Sequence, residues 1–277
     1  MTRPNVSDGQ DQAEVLGHPL PIQQVGQGKS ILIYGPTLSS SSRNEQNLAS
    51  AAGYSVTVVD EAAWSAMTTD QFAQYDAIVF PDPTCSGSTQ ALAAAEANNA
   101  VWSAAITGPI YLQGTDPVYH GNSAAQQLII SGINFAASGS GTGLYVSLSC
   151  YYYAASQSTP VPLLSALGDF QVVGQGNCPN QVTIVQPTHP AMSGLTNEGL
   201  SNWFCSAHQF FTSYPPSFIP LAQAMRDPET ALPFIIATRT ASCLEFSQLL
   251  CAQFTVTFNV TAESQVTSVR CLGPCLS

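Results

Sequence analysis

Cys150 stands at the end of a short alternating run and directly before a segment rich in tyrosine and small residues. A strand that ends on a thiol and turns into a helix is one way in which α/β enzymes present a nucleophile. The positive end of a helix dipole stabilises a thiolate, which attacks a carbonyl carbon once a histidine has accepted its proton. The other interpretation is that Cys150 is a structural cysteine, buried or disulfide-bonded.

Two of the four histidines come late enough in the chain to return to such a cysteine. His189 follows a short apolar run and precedes a proline, and His208 lies in an aromatic segment, residues 202–211. Both are therefore candidate bases for Cys150.

Polar residues follow several apolar runs at the points where strands are expected to end. Asp82, Asp116, His120 and Tyr151 occupy such positions. Ligands bind outside the carboxyl ends of the strands in doubly wound sheets, so these four side chains are candidate ligand contacts. Carboxylates, hydroxyls and tyrosine rings suit a neutral polyol or sugar better than an anion. The alternative is that these are ordinary polar loops.

Short apolar runs alternate with helical patterns through the first half of the chain. The runs are residues 31–34, 56–59, 77–80, 109–112 and 144–149, and the helical patterns are residues 43–52, 69–74, 88–105 and 123–137. This alternation predicts a doubly wound, mainly parallel α/β sheet with helices on both faces. We expect Cys150 at the carboxyl end of one of its central strands.

The second half is less regular, with strands expected at residues 182–185, 218–222 and 234–238 and a short helix at residues 161–167. The last two of these strands are expected to be antiparallel. The sequence therefore predicts three regions in the chain: a flexible arm over 1–28, the α/β domain over 29–240, and a cysteine-rich β extension over 241–277. The extension is expected to hold a hairpin of residues 254–260 and 265–270.

Glycine-rich triplets do not form nucleotide sites here, because Gly28-Lys29-Ser30 and residues 139–143 both precede strands. No cofactor is therefore predicted. The formal net charge of −11, with charged residues at only 8%, disfavours nucleic acid as a partner. No apolar run is long enough to cross a membrane. The remaining partner classes are a sugar or polyol, a second copy of the chain, or modules of a parent protein.

The eight cysteines, the single lysine and two glycosylation-type sequons predict a secreted or surface protein, although no signal peptide is visible. Most of the cysteines are expected to be paired, with at least one bridge in the C-terminal group of Cys243, Cys251, Cys271 and Cys275. No CxxC motif occurs, and the close pair at 271 and 275 has no histidine nearby. No metal site is therefore predicted from cysteine spacing.

The order of these elements resembles the class I glutamine amidotransferase-like superfamily. The strand ending at Cys150, the stretch 188–195 with His189, the segment around His208 and residues 218–222 are most similar to its trehalose-utilisation-like branch. The resemblance covers about residues 29–240. It implies a flavodoxin-like fold, with Cys150 in the nucleophile position and a histidine as its base.

In active amidotransferases, glycines flank the nucleophile and a glutamate follows the histidine by two residues. Other residues hold these positions here: Leu148, Tyr152, Phe210 and Ala191. The sequence thus predicts an exported module with a degraded catalytic apparatus, which binds a neutral polar ligand or serves a structural role. The alternative is a cysteine- or histidine-dependent hydrolase acting on an amide or a sugar derivative.

Overall fold

In this computed structural model the chain is described over residues 25–42, 44–82, 89–227 and 230–239, with residues 149 and 150 described by their backbone alone. The strands are β1 Ser30–Tyr34, β2 Ser55–Val59, β3 Ala77–Phe80, β4 Ile106–Gln113, β5 Thr142–Ser147, β6 Thr159–Pro160, β7 Gln171–Gly174, β8 Val182–Ile184, β9 Gln209–Ser213, β10 Phe218–Asp227 and β11 Thr230–Thr238. The helices are α1 Asn44–Ala51, α2 Glu61–Ala66, α3 Thr69–Phe72, α4 Ala93–Ala97, α5 Asn99–Ser103, α6 Pro117–His120, α7 Ser123–Ala136, α8 Ser149–Tyr152 and α9 Asn197–Leu200. Short 3₁₀ helices span Gly35–Thr37, Thr89–Leu92, Pro162–Leu164 and Pro190–Met192.

Within these ranges, eight strands form one sheet in the order β2-β1-β3-β5-β4-β11-β10-β8. Strands β1 to β5 pair with one another in parallel. Beside β4 the sheet continues with three antiparallel pairs, in which β11 pairs with β4, β10 with β11, and β8 with β10. The predicted doubly wound α/β class and the predicted antiparallel pair β10–β11 are therefore confirmed. A second, three-stranded antiparallel sheet, β6-β7-β9, was not predicted.

Both faces of the main sheet are covered, since strands β1, β3 and β5 are buried at successive residues rather than at alternate ones. One face packs on α7, whose Leu128, Ile129 and Ile133 are fully buried. The other face carries an aromatic cluster in which Trp64 and Trp102 lie against Phe80, with ring centroids 5.2 Å apart in each pair. Full burial of side chains of this size stabilises the fold by about 1.5–3 kcal/mol each.

The helical pattern at 88–105 is interrupted in the structure, where it forms a 3₁₀ turn followed by α4 and α5. The break falls at Asn98, whose side chain accepts a hydrogen bond from Trp64 Nε1 at 2.9 Å and donates to the Trp64 carbonyl oxygen at 3.4 Å. With its side chain held in this way, Asn98 has φ −113° and ψ 24°, outside the helical region, and asparagine has a low helix propensity. The tertiary contact with Trp64 thus overrides the local propensity.

The domain begins slightly earlier than the predicted boundary at residue 29. Residues 25–28 form a turn in which Gly26 N donates to the Ala52 carbonyl at 2.9 Å, so this part of the expected arm is joined to the core. The rest of the arm, the C-terminal hairpin and the predicted bridge in the C-terminal cysteine group lie outside the described residues. Among the described helices, none has the length and apolarity needed to cross a bilayer.

Candidate functional site

The carboxyl ends of the parallel strands carry most of the residues selected from the sequence. Asp82 follows β3, Asp116 follows β4, and Tyr151 lies in α8 directly after β5. Cys150 is the second residue of α8, and β5 pairs with β3 on one side and β4 on the other. The prediction that Cys150 stands at the carboxyl end of a central parallel strand is confirmed, whereas its thiol state lies outside the described part of the chain.

Asp116, His120 and His208 form a compact group at the end of β4. Nε2 of His120 and Nε2 of His208 each lie 3.0 Å from the same oxygen, Oδ1 of Asp116. The Asp116 side chain is 1% exposed, and each histidine is 10% exposed. Since Asp116 precedes the one-turn helix α6 and His120 ends it, the i, i+4 spacing places both side chains on one face.

His208 comes from a distant part of the chain and is held at β4 by its backbone. The carbonyl of Gly114 accepts hydrogen bonds from His208 N at 2.9 Å and from Gln209 N at 3.0 Å. A β-carbon at Gly114 would overlap the Gln209 backbone, so this close approach requires glycine. A disulfide between Cys178 and Cys205 ties the same segment down three residues earlier, with the two Cα atoms 4.8 Å apart.

Burial keeps His208 neutral. Desolvation lowers the pKa of His208 below its ordinary value, and the nearby His120 lowers it further. The Asp116 carboxylate and the contact with the Cys205 carbonyl act in the opposite direction without reversing the shift. A neutral imidazole retains a nitrogen lone pair, which can accept a proton, accept a hydrogen bond or coordinate a metal ion.

A second polar group, centred on two carboxyl side chains, lies at the ends of β3 and β5. Asp82 N donates to Glu45 Oε1 at 3.2 Å, and both side chains are fully buried. Burial, with a smaller effect of the Asp82 charge, raises the pKa of Glu45 to about 8, although the backbone N–H groups of Glu45 and Asp82 act in the opposite direction. Ser147 Oγ lies 3.2 Å from Asp82 Oδ2 and 3.0 Å from the Thr115 carbonyl oxygen, which links this group to the loop that carries Asp116.

Tyr151 belongs to this second group rather than to the histidine group. Burial raises its pKa well above the ordinary value, and the neighbouring Asp82, Tyr34 and Glu45 raise it further. Its hydroxyl is buried without a hydrogen-bond partner among the described residues. The predicted ligand contacts are therefore divided between two groups, with Asp82 and Tyr151 in one and Asp116 and His120 in the other.

His189 does not join either group, which corrects the prediction that it returns to the ligand edge. Its Nδ1 accepts from Ala191 N at 3.2 Å, its Nε2 lies 3.4 Å from the Thr238 carbonyl oxygen, and its ring packs on Phe135. Thr238 ends β11, which is antiparallel to β4, and therefore lies towards the amino ends of the parallel strands. His189 caps a 3₁₀ turn there, so its role is structural.

Two exposed aromatic residues beside the histidine group were not selected from the sequence. Tyr119 is 70% exposed and Phe204 is 89% exposed, and they adjoin His120 and Trp203, whose rings lie 5.0 Å apart. Phe204 has a φ of +70°, a conformation that bulky residues rarely adopt and that concentrates at functional sites. Aromatic residues were visible in this segment, but their exposure depends on backbone geometry that composition does not reveal.

A surface depression lies elsewhere on the same edge, at the ends of β1 and β2. It is a shallow, open surface lined by residues that include Gly35, Pro36, Asp60 and Glu61. In the sheet order, β3 and β5 separate these strands from β4. Because it contains none of the grouped titratable side chains, we place the functional site at Asp116, His120 and His208.

No family model, curated protein or solved structure matches the chain.

Proposed function

We propose that this domain is an amidotransferase-like module of an exported or surface protein, and that it binds a neutral polar ligand such as a sugar or polyol. The observation that carries the proposal is the buried group of Asp116, His120 and His208 with the exposed rings of Tyr119 and Phe204 beside it. In this proposal the cysteine-dependent apparatus of the superfamily has degraded.

The arrangement suits a sugar because it offers two kinds of contact. The side chains of Asp116, His120 and His208 together can accept and donate hydrogen bonds, which matches the hydroxyl groups around a sugar ring. Exposed aromatic faces carry partial negative charge and attract the C–H groups on the apolar face of a sugar. Sites that bind small molecules typically combine such apolar surfaces with a few fixed polar groups.

The charges of the domain favour a neutral ligand over an anion. The chain carries a formal net charge of −11. Lys29 Nζ donates to the carbonyl of Ala137, and Arg226 Nε donates to the carbonyl of Gly174. Both cations are engaged by backbone carbonyl groups, and the titratable side chains grouped at the β4 end are those of Asp116, His120 and His208. The disulfide between Cys178 and Cys205 supports export, because such bonds persist in oxidising compartments.

Replacement of Phe204 or Tyr119 by alanine is expected to weaken sugar binding about tenfold each, or by about 1.4 kcal/mol, because each change removes an aromatic contact face. The measurement is the change in tryptophan fluorescence when cellohexaose, maltohexaose or xylohexaose is titrated into the protein. Trp203 lies next to both the His120 ring and Phe204, whereas Trp64 and Trp102 are buried in the other core cluster.

The matched control is Met225→Ala, which removes an exposed apolar side chain, 44% accessible, on β10. It is expected to leave the affinity unchanged. The proposal is contradicted if no neutral oligosaccharide binds, or if Met225→Ala weakens binding as much as Phe204→Ala does.

The contact between Asp116 and His208 also supports a second candidate, a cysteine- and histidine-dependent hydrolase. A carboxylate 3.0 Å from an imidazole is how many hydrolases orient their base. Under our proposal, Cys150 reacts with iodoacetamide no faster than an ordinary thiol, or not at all, and His208→Ala does not change that rate. Fast alkylation at neutral pH that slows sharply in His208→Ala would favour the hydrolase instead.

A further inference from the structure

The structure assigns a binding site for a divalent transition-metal ion, of the Zn²⁺ class, to Asp116, His120 and His208. The three side chains each offer one ligand atom, and these atoms all lie within 4.8 Å of one another. Two imidazoles and one carboxylate form a donor set that suits Zn²⁺ and its first-row neighbours and disfavours Mg²⁺ and Ca²⁺. The inference goes beyond sugar binding and stands on the geometry alone.

Two of the three distances within the group match those between neighbouring ligands of one ion, and the two histidine nitrogens lie within 4.8 Å of each other. Both Nε2 atoms lie 3.0 Å from Asp116 Oδ1. When metal–ligand bonds are about 2.0–2.2 Å long and the ligand–metal–ligand angle lies between a right angle and the tetrahedral angle, neighbouring ligand atoms are roughly 3.0–3.5 Å apart. An ion could therefore enter the group with small side-chain rotations and without movement of α6 or the disulfide-tied segment.

His120 provides a second observation, independent of the clustering. Its Nε2 is buried and lies 3.0 Å from Asp116 Oδ1, but this contact does not have the geometry of a hydrogen bond. A buried ring nitrogen without a hydrogen bond is uncommon, because burial without a partner costs about 1–3 kcal/mol. Coordination of an ion by the Nε2 lone pair would satisfy this atom.

The tautomer of His208 decides how it would coordinate. Its Nε2 lies 2.9 Å from the Cys205 carbonyl oxygen as well as 3.0 Å from Asp116. Coordination through Nε2 requires the neutral tautomer that carries its hydrogen on Nδ1. Because the Cys205 carbonyl oxygen can only accept, Nε2 donates its hydrogen in the present contact, and a bound ion would take the place of that hydrogen.

Metal binding to the full chain tests this inference. Protein treated with a chelator and then dialysed is titrated with ZnCl₂ by calorimetry, and with CoCl₂ while the visible absorption of the cobalt ion is followed. We expect one equivalent per chain, and an affinity that falls more than about 100-fold in Asp116→Asn, His120→Gln and His208→Gln, since even outer-sphere changes cost 10–100-fold. Excess MgCl₂ or CaCl₂ is expected not to displace the Zn²⁺.

The matched control is His189→Asn, which removes a buried histidine at the opposite edge while keeping an oxygen able to cap Ala191 N. This variant is expected to bind Zn²⁺ with the same affinity as the unsubstituted protein. Circular dichroism establishes that each variant is folded, and His120→Gln is the decisive one because α6 is a single surface turn. Less than about 0.1 equivalent of bound Zn²⁺, an unchanged affinity in folded His120→Gln, or displacement by CaCl₂ would overturn the inference. Because this experiment uses no sugar, a failure to bind Zn²⁺ does not contradict the proposed sugar binding. In the same way, a failure to bind oligosaccharide does not contradict the proposed metal site.

Discussion

Replacement of Cys178 and Cys205 together by serine is expected to lower the free energy of unfolding by about 3.5 kcal/mol, as loop-closure entropy predicts for the 27-residue separation of this disulfide. The bond restricts the unfolded chain more than the folded one, because the folded chain already holds the two Cα atoms 4.8 Å apart. Urea unfolding of the oxidised parent and the variant, each kept free of reductant, measures the difference.

The same substitution is expected to affect the site more than a uniform loss of stability would. Cys205 supplies the carbonyl beside His208 Nε2, and Asn202 and Phe204 hold left-handed backbone conformations in the same segment. Well below the unfolding midpoint, the variant should therefore bind ZnCl₂ and oligosaccharide more weakly while keeping its circular dichroism spectrum. The surface change Met225→Ala is the control. An unchanged urea midpoint would show that the bond contributes nothing, and unchanged binding would show that it does not position His208.

The main sheet was largely predictable because its signal is local. Strands β1 and β3 are short apolar runs and β5 is an alternating run, and each is bounded by polar or glycine-containing segments. The placement of Cys150 at the end of β5 followed from the same pattern. The observed ends of helices differ from the predicted ones where tertiary contacts act. At Asn98, hydrogen bonds to Trp64 divide one predicted helix into α4 and α5.

The candidate site was predictable only in part, because some of its residues are close in sequence and others come from distant parts of the chain. Asp116 and His120 are four residues apart and were identified as ligand contacts from their position after a strand. His208 joins them through the Gly114 backbone contact and the Cys178–Cys205 bond, and neither a close backbone approach nor a disulfide connectivity can be read from one sequence. The sequence thus indicated disulfides without indicating this pair, and cysteine spacing could not indicate a metal site built from histidine.

Strand β9 was missed for the same reason. Residues Gln209–Ser213 do not alternate, and they form a strand only because β7 lies beside them. Glu45 was missed as well, since a glutamate in the first turn of a helix is ordinarily exposed and favoured there by the helix dipole. Its burial results from the approach of the loop after β3, whose Asp82 N–H binds its carboxylate oxygen.

The contribution of Glu45 to the stability of the domain is expected to be larger in mild acid than in mild alkali. Burial raises its pKa from 4.5 to about 8 in the folded state, so between these values the folded chain holds a proton that the unfolded chain has lost. Stability from this group is complete below pH 4.5 and is lost as the pH rises to about 8, with a slope of up to about 1.4 kcal/mol per pH unit. A salt-bridged carboxylate has the opposite pH dependence, because its contribution to stability is lost in acid.

Glu45→Gln is therefore expected to remove this slope and to raise the stability at pH 8 by several kcal/mol, while changing it little at pH 4.5. Glutamine keeps an oxygen that can accept from Asp82 N, and its amide, like the protonated acid, is neutral. Urea unfolding at closely spaced pH values from 4.5 to 8.5 measures the effect, with the exposed Glu198→Gln as the matched control. Parallel pH profiles for the parent and Glu45→Gln would show that Glu45 is ionised in the folded protein. A profile flattened equally by Glu198→Gln would assign the slope to net charge rather than to burial of this one carboxyl group.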